Sequence, residues 1–124
     1  MPKSQHCALG RTGEDLACDE LRRRGYAILD RRYRTRSGEL DIIARDGRTL
    51  VFVEVKTRGS NRFGTPFEAV TAAKRRQVVA MAADYLARRR PGAVACRFDV
   101  AAVTFDGGGT PAVEIITHAF DAGD

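Results

Sequence analysis

The stretch GELDIIARDGRTLVFVEVK, residues 38–56, decides the fold. In its second half Leu50, Val51, Phe52, Val53 and Val55 are apolar and only Glu54 interrupts them, the pattern of a strand covered on both faces. Such a strand belongs in the middle of a sheet. The first half, Glu39 to Arg45, reads as a second strand. Between the two, Asp46-Gly47 signals a hairpin through a type I′ turn, which needs positive φ at both central residues. Strands over 39–45 and 49–56, paired antiparallel, are therefore predicted.

Outward from this hairpin, Tyr26 to Tyr33 reads as a further strand. Before it, Thr12-Gly13-Glu14-Asp15 predicts a helix start with Thr12 as N-cap and Asp15 reaching back as in a capping box. That helix runs to about Arg24, buries Leu16, Ala17, Cys18 and Leu21, and stops at Gly25. Downstream, Gly59 to Gly64 is a polar loop. Thr65-Pro66-Phe67-Glu68 is a second capping signature, opening a long helix that ends near Arg90, before Pro91-Gly92. Two last strands, Cys96 to Phe105 and Ala112 to Thr117, flank the turn Asp106-Gly107-Gly108-Gly109. The order α-β-β-β-α-β-β defines an α/β chain, expected to form a single domain over 1–124 with its core over about 12–117.

With 124 residues, 44% hydrophobic and 30% charged, the chain has the composition of a folded globular domain. Its net charge of +5 favours a polyanionic partner. Seven arginines fall in the fifteen residues from Arg22 to Arg36, just before the acidic segment; the plain reading is a solvated helix end and an edge strand. Cys7, Cys18 and Cys96 are odd in number and form no Cys-x-x-Cys pair, which argues against a disulfide framework and a zinc site. Cys18 and Cys96 are expected to pack as small apolar residues. His6 and His118 are isolated. No run approaches the roughly 20 apolar residues of a membrane span, and MPKSQHCALG lacks the apolar stretch of a signal peptide. A cytoplasmic protein without a membrane partner is expected.

The chemistry gathers on the hairpin. Side chains at i and i+2 share a face of a strand, so Glu54 and Lys56 point one way and Val53 and Val55 the other. By the same rule Glu39 and Asp41 share a face, with Leu40 and Ile42 opposite. A register that sets Asp41 beside Glu54 brings two carboxylates within reach of one divalent cation. Magnesium suits such a site, with the Val55 carbonyl as a third ligand and Lys56 beside it to orient water or stabilise charge on phosphorus. The plain alternative is a structural ion pair, and the apolar neighbours of Glu54 argue against an exposed one.

Glu14, then Gly38-Glu39-Leu40-Asp41, then Glu54-Val55-Lys56, resemble the PD-(D/E)XK restriction-endonuclease-like superfamily. Together with FGTPFEAV, Lys74 and Phe98-Asp99-Val100, they resemble its YraN-type bacterial family more closely. Leu40 stands where the superfamily name places a proline. The resemblance implies an αβββαβ core with a mixed central sheet flanked by helices, here extended by a C-terminal strand. It implies phosphodiester hydrolysis with Mg²⁺ or Mn²⁺ and a relation to Holliday-junction resolvases. It makes Glu14, Asp41, Glu54 and Lys56 the catalytic set, with Glu14 reaching the metal directly or through water.

The function so implied is a metal-dependent endonuclease acting on DNA, branched or damaged DNA among the candidates. The alternatives are a non-catalytic nucleic-acid-binding module on the same fold and a protein-interaction factor. Candidate nucleic-acid contacts are Lys74, Gln77, Arg58, Arg62 and Arg36, with Arg75 and Arg76 either phosphate contacts or plain surface. Lys74 lies at helical spacing among Val70, Val78, Met81 and Tyr85, so it either snorkels past an apolar face or reaches a phosphate. Glu14 also has a simpler reading, complementing the helix dipole. A homodimer is expected by analogy with resolvases, with Val79 and Leu86 either at its interface or in the core.

Overall fold

Thr12 caps the first helix as its sequence predicts. Its hydroxyl accepts from the Asp15 N–H, and its own N–H donates to the Asp15 carboxylate. In the computed structural model, which describes residues 12–59, 70–105 and 111–122, this helix is α1 (Gly13–Arg23). There follow β1 (Ala27–Thr35), β2 (Gly38–Asp46), β3 (Thr49–Arg58), α2 (Ala72–Arg89), β4 (Ala95–Thr104) and β5 (Ala112–Phe120). The strands form a mixed sheet in the order β1-β2-β3-β4-β5. Only β3 and β4 are parallel. A parallel pair needs a crossover, and α2 lies in it.

β3 is central and buried from Leu50 to Glu54. Leu50 and Phe52 pack with Val78, Met81, Ala82 and Tyr85 of α2, and Val51 and Val53 with Ala17, Cys18 and Leu21 of α1. The α2 side is rich in aromatic contacts: Phe52 meets Tyr85 edge-on at 5.9 Å, and Phe98 stacks on Phe120 at 5.1 Å. Such pairs add to burial because the ring edge is attracted to the ring face. No helix among the described residues is long and apolar enough to cross a membrane.

Several expectations change. The β2–β3 turn has Gly47 and Arg48 at its centre, since Asp46 pairs with Thr49. Of these only Gly47 has positive φ, 62°, the arrangement of a type II′ rather than a type I′ turn. The capping signature Thr65-Pro66-Phe67-Glu68 lies outside the described residues, as do Arg62, His6, Cys7 and the Asp106–Gly109 turn. The helix does not run unbroken from Pro66, because Thr71 is extended (φ −70°, ψ 163°) and its hydroxyl caps α2 by accepting from Lys74 N–H at 3.1 Å. β5 runs past Thr117 to bury Ala119 and Phe120. Cys96 is exposed rather than packed. Val79 and Leu86 are partly buried against the core and line an open groove of about 280 Å³ between α2, β4 and β5.

The largest departure is in the pleat. Leu40 packs on the α2 side and Ile42 on the α1 side, so they do not share a face; Ile43 returns to α2 and Ala44 to α1. The alternation therefore slips at Asp41. On β1 the same happens: Arg31 binds Glu14 and Asp15 of α1, whereas Tyr33 binds Asp84 of α2. Arg32, between them, has φ 56°. Since Arg31 pairs with Ile42 and Tyr33 with Leu40, Arg32 and Asp41 stand at the same level of the ladder. Both strands exchange faces there, and the register is kept.

Candidate metal centre and active site

The hairpin brings the two acids together. Ile42 pairs with Val53, so Asp41 and Glu54 are the next residues along their strands. The Asp41 side chain enters the ladder itself: its Oδ2 accepts from the Val55 N–H at 2.8 Å. The slipped pleat turns Asp41 between the strands, where its charge acts on Glu54. Glu54 is only 6% exposed; burial, then the neighbouring Asp41 charge, push its pKa up to about 7. Burial also raises Asp41, against the lowering effect of the Val55 N–H and of Lys74.

Glu54 Oε1 is buried and has no hydrogen-bond partner. A buried oxygen left unsatisfied costs free energy, so a ligand at this point is favoured. Two adjacent carboxylates, one with an unused oxygen, suit a hard divalent cation, which takes oxygen ligands and keeps several waters. Lys74 of α2 reaches the same place, with Nζ 3.6 Å from Glu54 Oε2. Lys56 is exposed near the end of β3, and its charge also reaches Glu54.

Glu14 is not in this cluster. Its Oε1 accepts from Arg31 and from Arg32, and among the described residues no group of three or more His, Cys, Asp or Glu side chains stands ready for a metal ion. Its charge does raise the Asp41 carboxyl, so it stands nearby. Glu39 pairs with Arg34 at 2.6 Å at the exposed end of β2.

The nucleic-acid candidates divide. Arg36 lies exposed in the β1–β2 turn, Arg76 is exposed on α2, and Arg58 is half-buried at the end of β3. Arg75 donates to the Val70 carbonyl at 2.9 Å. Gln77 is held by the protein: its Nε2 donates to the Ser37 carbonyl at 2.8 Å and ties α2 to the β1–β2 turn. Gly38 makes room for it, having φ 139° and a position where a Cβ would overlap the Gln77 amide. Gln77→Ala is expected to lower stability by about 1 kcal/mol, the worth of one such bond, in urea denaturation. An unchanged midpoint would leave Gln77 without a structural role.

Sequence reasoning passed over one charged cluster, on the α1 side of the sheet. Asp99 is wholly buried and accepts from Arg97 at 2.9 and 3.0 Å, from the His118 N–H at 3.0 Å and from the Tyr26 hydroxyl at 3.4 Å. Arg97 also meets Asp46 at 3.1 Å, and its guanidinium lies over the Tyr26 ring. A signal was present: a carboxylate within the apolar run from Phe98 to Val103 requires a partner, and an arginine two residues earlier shares its face.

A mixed sheet in this order, with its parallel pair joined through α2 and an acidic pair where β2 and β3 meet, defines a restriction-endonuclease-like fold, the αβββαβ core plus one C-terminal strand. Residues 13–103 match the family model described as "Uncharacterised protein family UPF0102". The chain belongs to that family, the YraN-type family of its sequence resemblance. It is similar to a UPF0102 protein of Geobacter metallireducens, 49% identical over 114 residues that cover 92% of this chain and 93% of the relative. A UPF0102 protein of Anaeromyxobacter dehalogenans is 53% identical over 114 residues, 92% of this chain and 84% of the relative. One from Geobacter sulfurreducens is 50% identical over 113 residues, 91% and 88% of the two chains.

Proposed function

We propose that this protein is a Mg²⁺- or Mn²⁺-dependent endonuclease acting on DNA, with branched or damaged DNA as the substrates to try first. The observation that carries the reading is the buried pair Asp41 and Glu54, with an unpartnered carboxylate oxygen and a lysine 3.6 Å away. Asp41 and Glu54 would hold the ion, with the Val55 carbonyl a third oxygen at the same level of β3. Bound there, such an ion polarises a phosphodiester and makes hydroxide available near neutral pH. Lys74 and Lys56 supply positive charge on the side of Glu54, where negative charge builds on phosphorus during in-line attack. Arg36 and Arg76, both exposed, offer backbone phosphate contacts that position the strand. Two copies acting together would cut both strands of a junction, a pairing that sedimentation velocity at micromolar concentration tests.

The deciding experiment is cleavage of linear, flapped and four-way-junction DNA, and of RNA, with Mg²⁺ or Mn²⁺. Native protein is compared with Glu54→Ala and Lys56→Ala. The native protein should cut at least one DNA while both variants still bind it with a steep salt dependence. Absence of cleavage on every substrate, or cleavage unchanged in both variants, overturns the reading. Binding without cleavage by the native protein would favour the non-catalytic module instead.

A further inference from the structure

Neighbouring side chains on a regular strand project to opposite faces, so they cannot converge on one carboxylate. Arg31 and Arg32 nevertheless do. Arg31 Nε and Nη2 donate to Glu14 Oε1 at 3.1 and 2.6 Å, and Arg32 Nε donates to the same oxygen at 3.0 Å. The backbone of Arg32 allows it, with φ 56°, a left-handed conformation unfavourable for a residue that carries a Cβ. Stability gives little return for this strain, because the Arg32 side chain is 55% accessible and ion pairs so exposed contribute little. Strained non-glycine backbone clusters at functional sites. Here it occurs at the level of Asp41, between the pairs Arg31 with Ile42 and Tyr33 with Leu40.

Glu14 thus stands close to the acidic pair without joining it. We infer that Arg31 and Arg32 are positioning residues that fix Glu14 one shell outside the cation held by Asp41 and Glu54, where it accepts a hydrogen bond from water on that cation. The inference rests on the metal-dependent reading above. Each part of the arrangement then has a use. Two guanidinium groups occupy Oε1 and balance its charge, the other carboxylate oxygen remains for water, and the left-handed residue brings the second arginine round.

Arg32→Gly separates the guanidinium from the strain, since glycine takes positive φ freely. The metal-free protein is titrated with Mn²⁺ and the free ion followed by electron paramagnetic resonance, for native protein, Arg32→Gly, Glu14→Gln and the double variant. Each single substitution should weaken Mn²⁺ binding about tenfold, as loss of an outer-shell partner does. The double variant should lose no more than either single one, because both remove the same interaction. Arg32→Gly should melt no lower than native protein. An affinity for Mn²⁺ in Arg32→Gly within about twofold of native, or losses that multiply in the double variant, overturns the inference. A lower melting temperature for Arg32→Gly that Glu14→Gln does not share makes the arginine a stability device and overturns it too. Native protein that binds no Mn²⁺ removes the metal-dependent reading itself, a result told apart because it needs no variant.

Discussion

Glu54→Gln is expected to make the metal-free protein more stable at pH 8 while abolishing cleavage. The native carboxyl is raised from an ordinary 4.5 to about 7 by burial and by Asp41. At about 1.4 kcal/mol per pH unit, ionising it in the fold costs on the order of 3 kcal/mol. Because the folded value lies above the unfolded one, the contribution of Glu54 is fully present below pH 4.5. It is lost as the pH rises through about 7. Urea denaturation in EDTA between pH 4 and 8 should therefore show native stability falling against that of the glutamine variant, which has no such proton to lose. Parallel curves would contradict it. Added Mg²⁺ should reverse the order at pH 8, since an ion that binds only the folded native protein stabilises it by mass action. The acid that would bind metal is thus a stability defect in its absence.

Asp99→Ala should act in the opposite direction, lowering stability by about 3–5 kcal/mol, the range for removing one partner of a buried ion pair. The loss leaves the Arg97 guanidinium, held by both Asp99 oxygens, and the His118 N–H without their acceptor. Asp46 and the Tyr26 hydroxyl remain beside Arg97 but are more exposed than Asp99, and the hydroxyl carries no charge. Replacing Arg97 and Asp99 together by Leu and Val should recover much of the loss, because a buried pair is often matched by well-packed apolar side chains. A loss under about 1 kcal/mol in the single variant would show that Asp46, the Tyr26 hydroxyl and solvent suffice for Arg97, and would contradict it.

The parts of the fold legible in the sequence are those that one element specifies alone. The apolar run of β3, the Thr12 capping box and Gly25 at the end of α1, with φ 94°, each declare themselves within a few residues. The site was legible to the extent that a hairpin aligns Asp41 with Glu54. What escaped depends on two elements at once. The slip at Asp41 is invisible in β2, since alternation there reads as unbroken, and becomes evident only against β1. Lys74 sits on a stripe that reads as buried, and its use follows from the height at which α2 crosses β3. The start of α2 escaped because Thr65-Pro66-Phe67-Glu68 carries the fuller capping signature, whereas the hydroxyl that caps α2 is that of Thr71. Arg31 and Arg32 gave no sign, as strand periodicity sends them to opposite sides.

Arg32 and Asp41 have the character of a matched insertion. Taken out together, they would leave Arg31 beside Tyr33 and Leu40 beside Ile42, with α1 and α2 sides alternating through both junctions and the pairs on either side of them intact. The scaffold is complete without them; these two residues are spare links, one in each strand, and only a sheet that accepts both at once keeps its core in step.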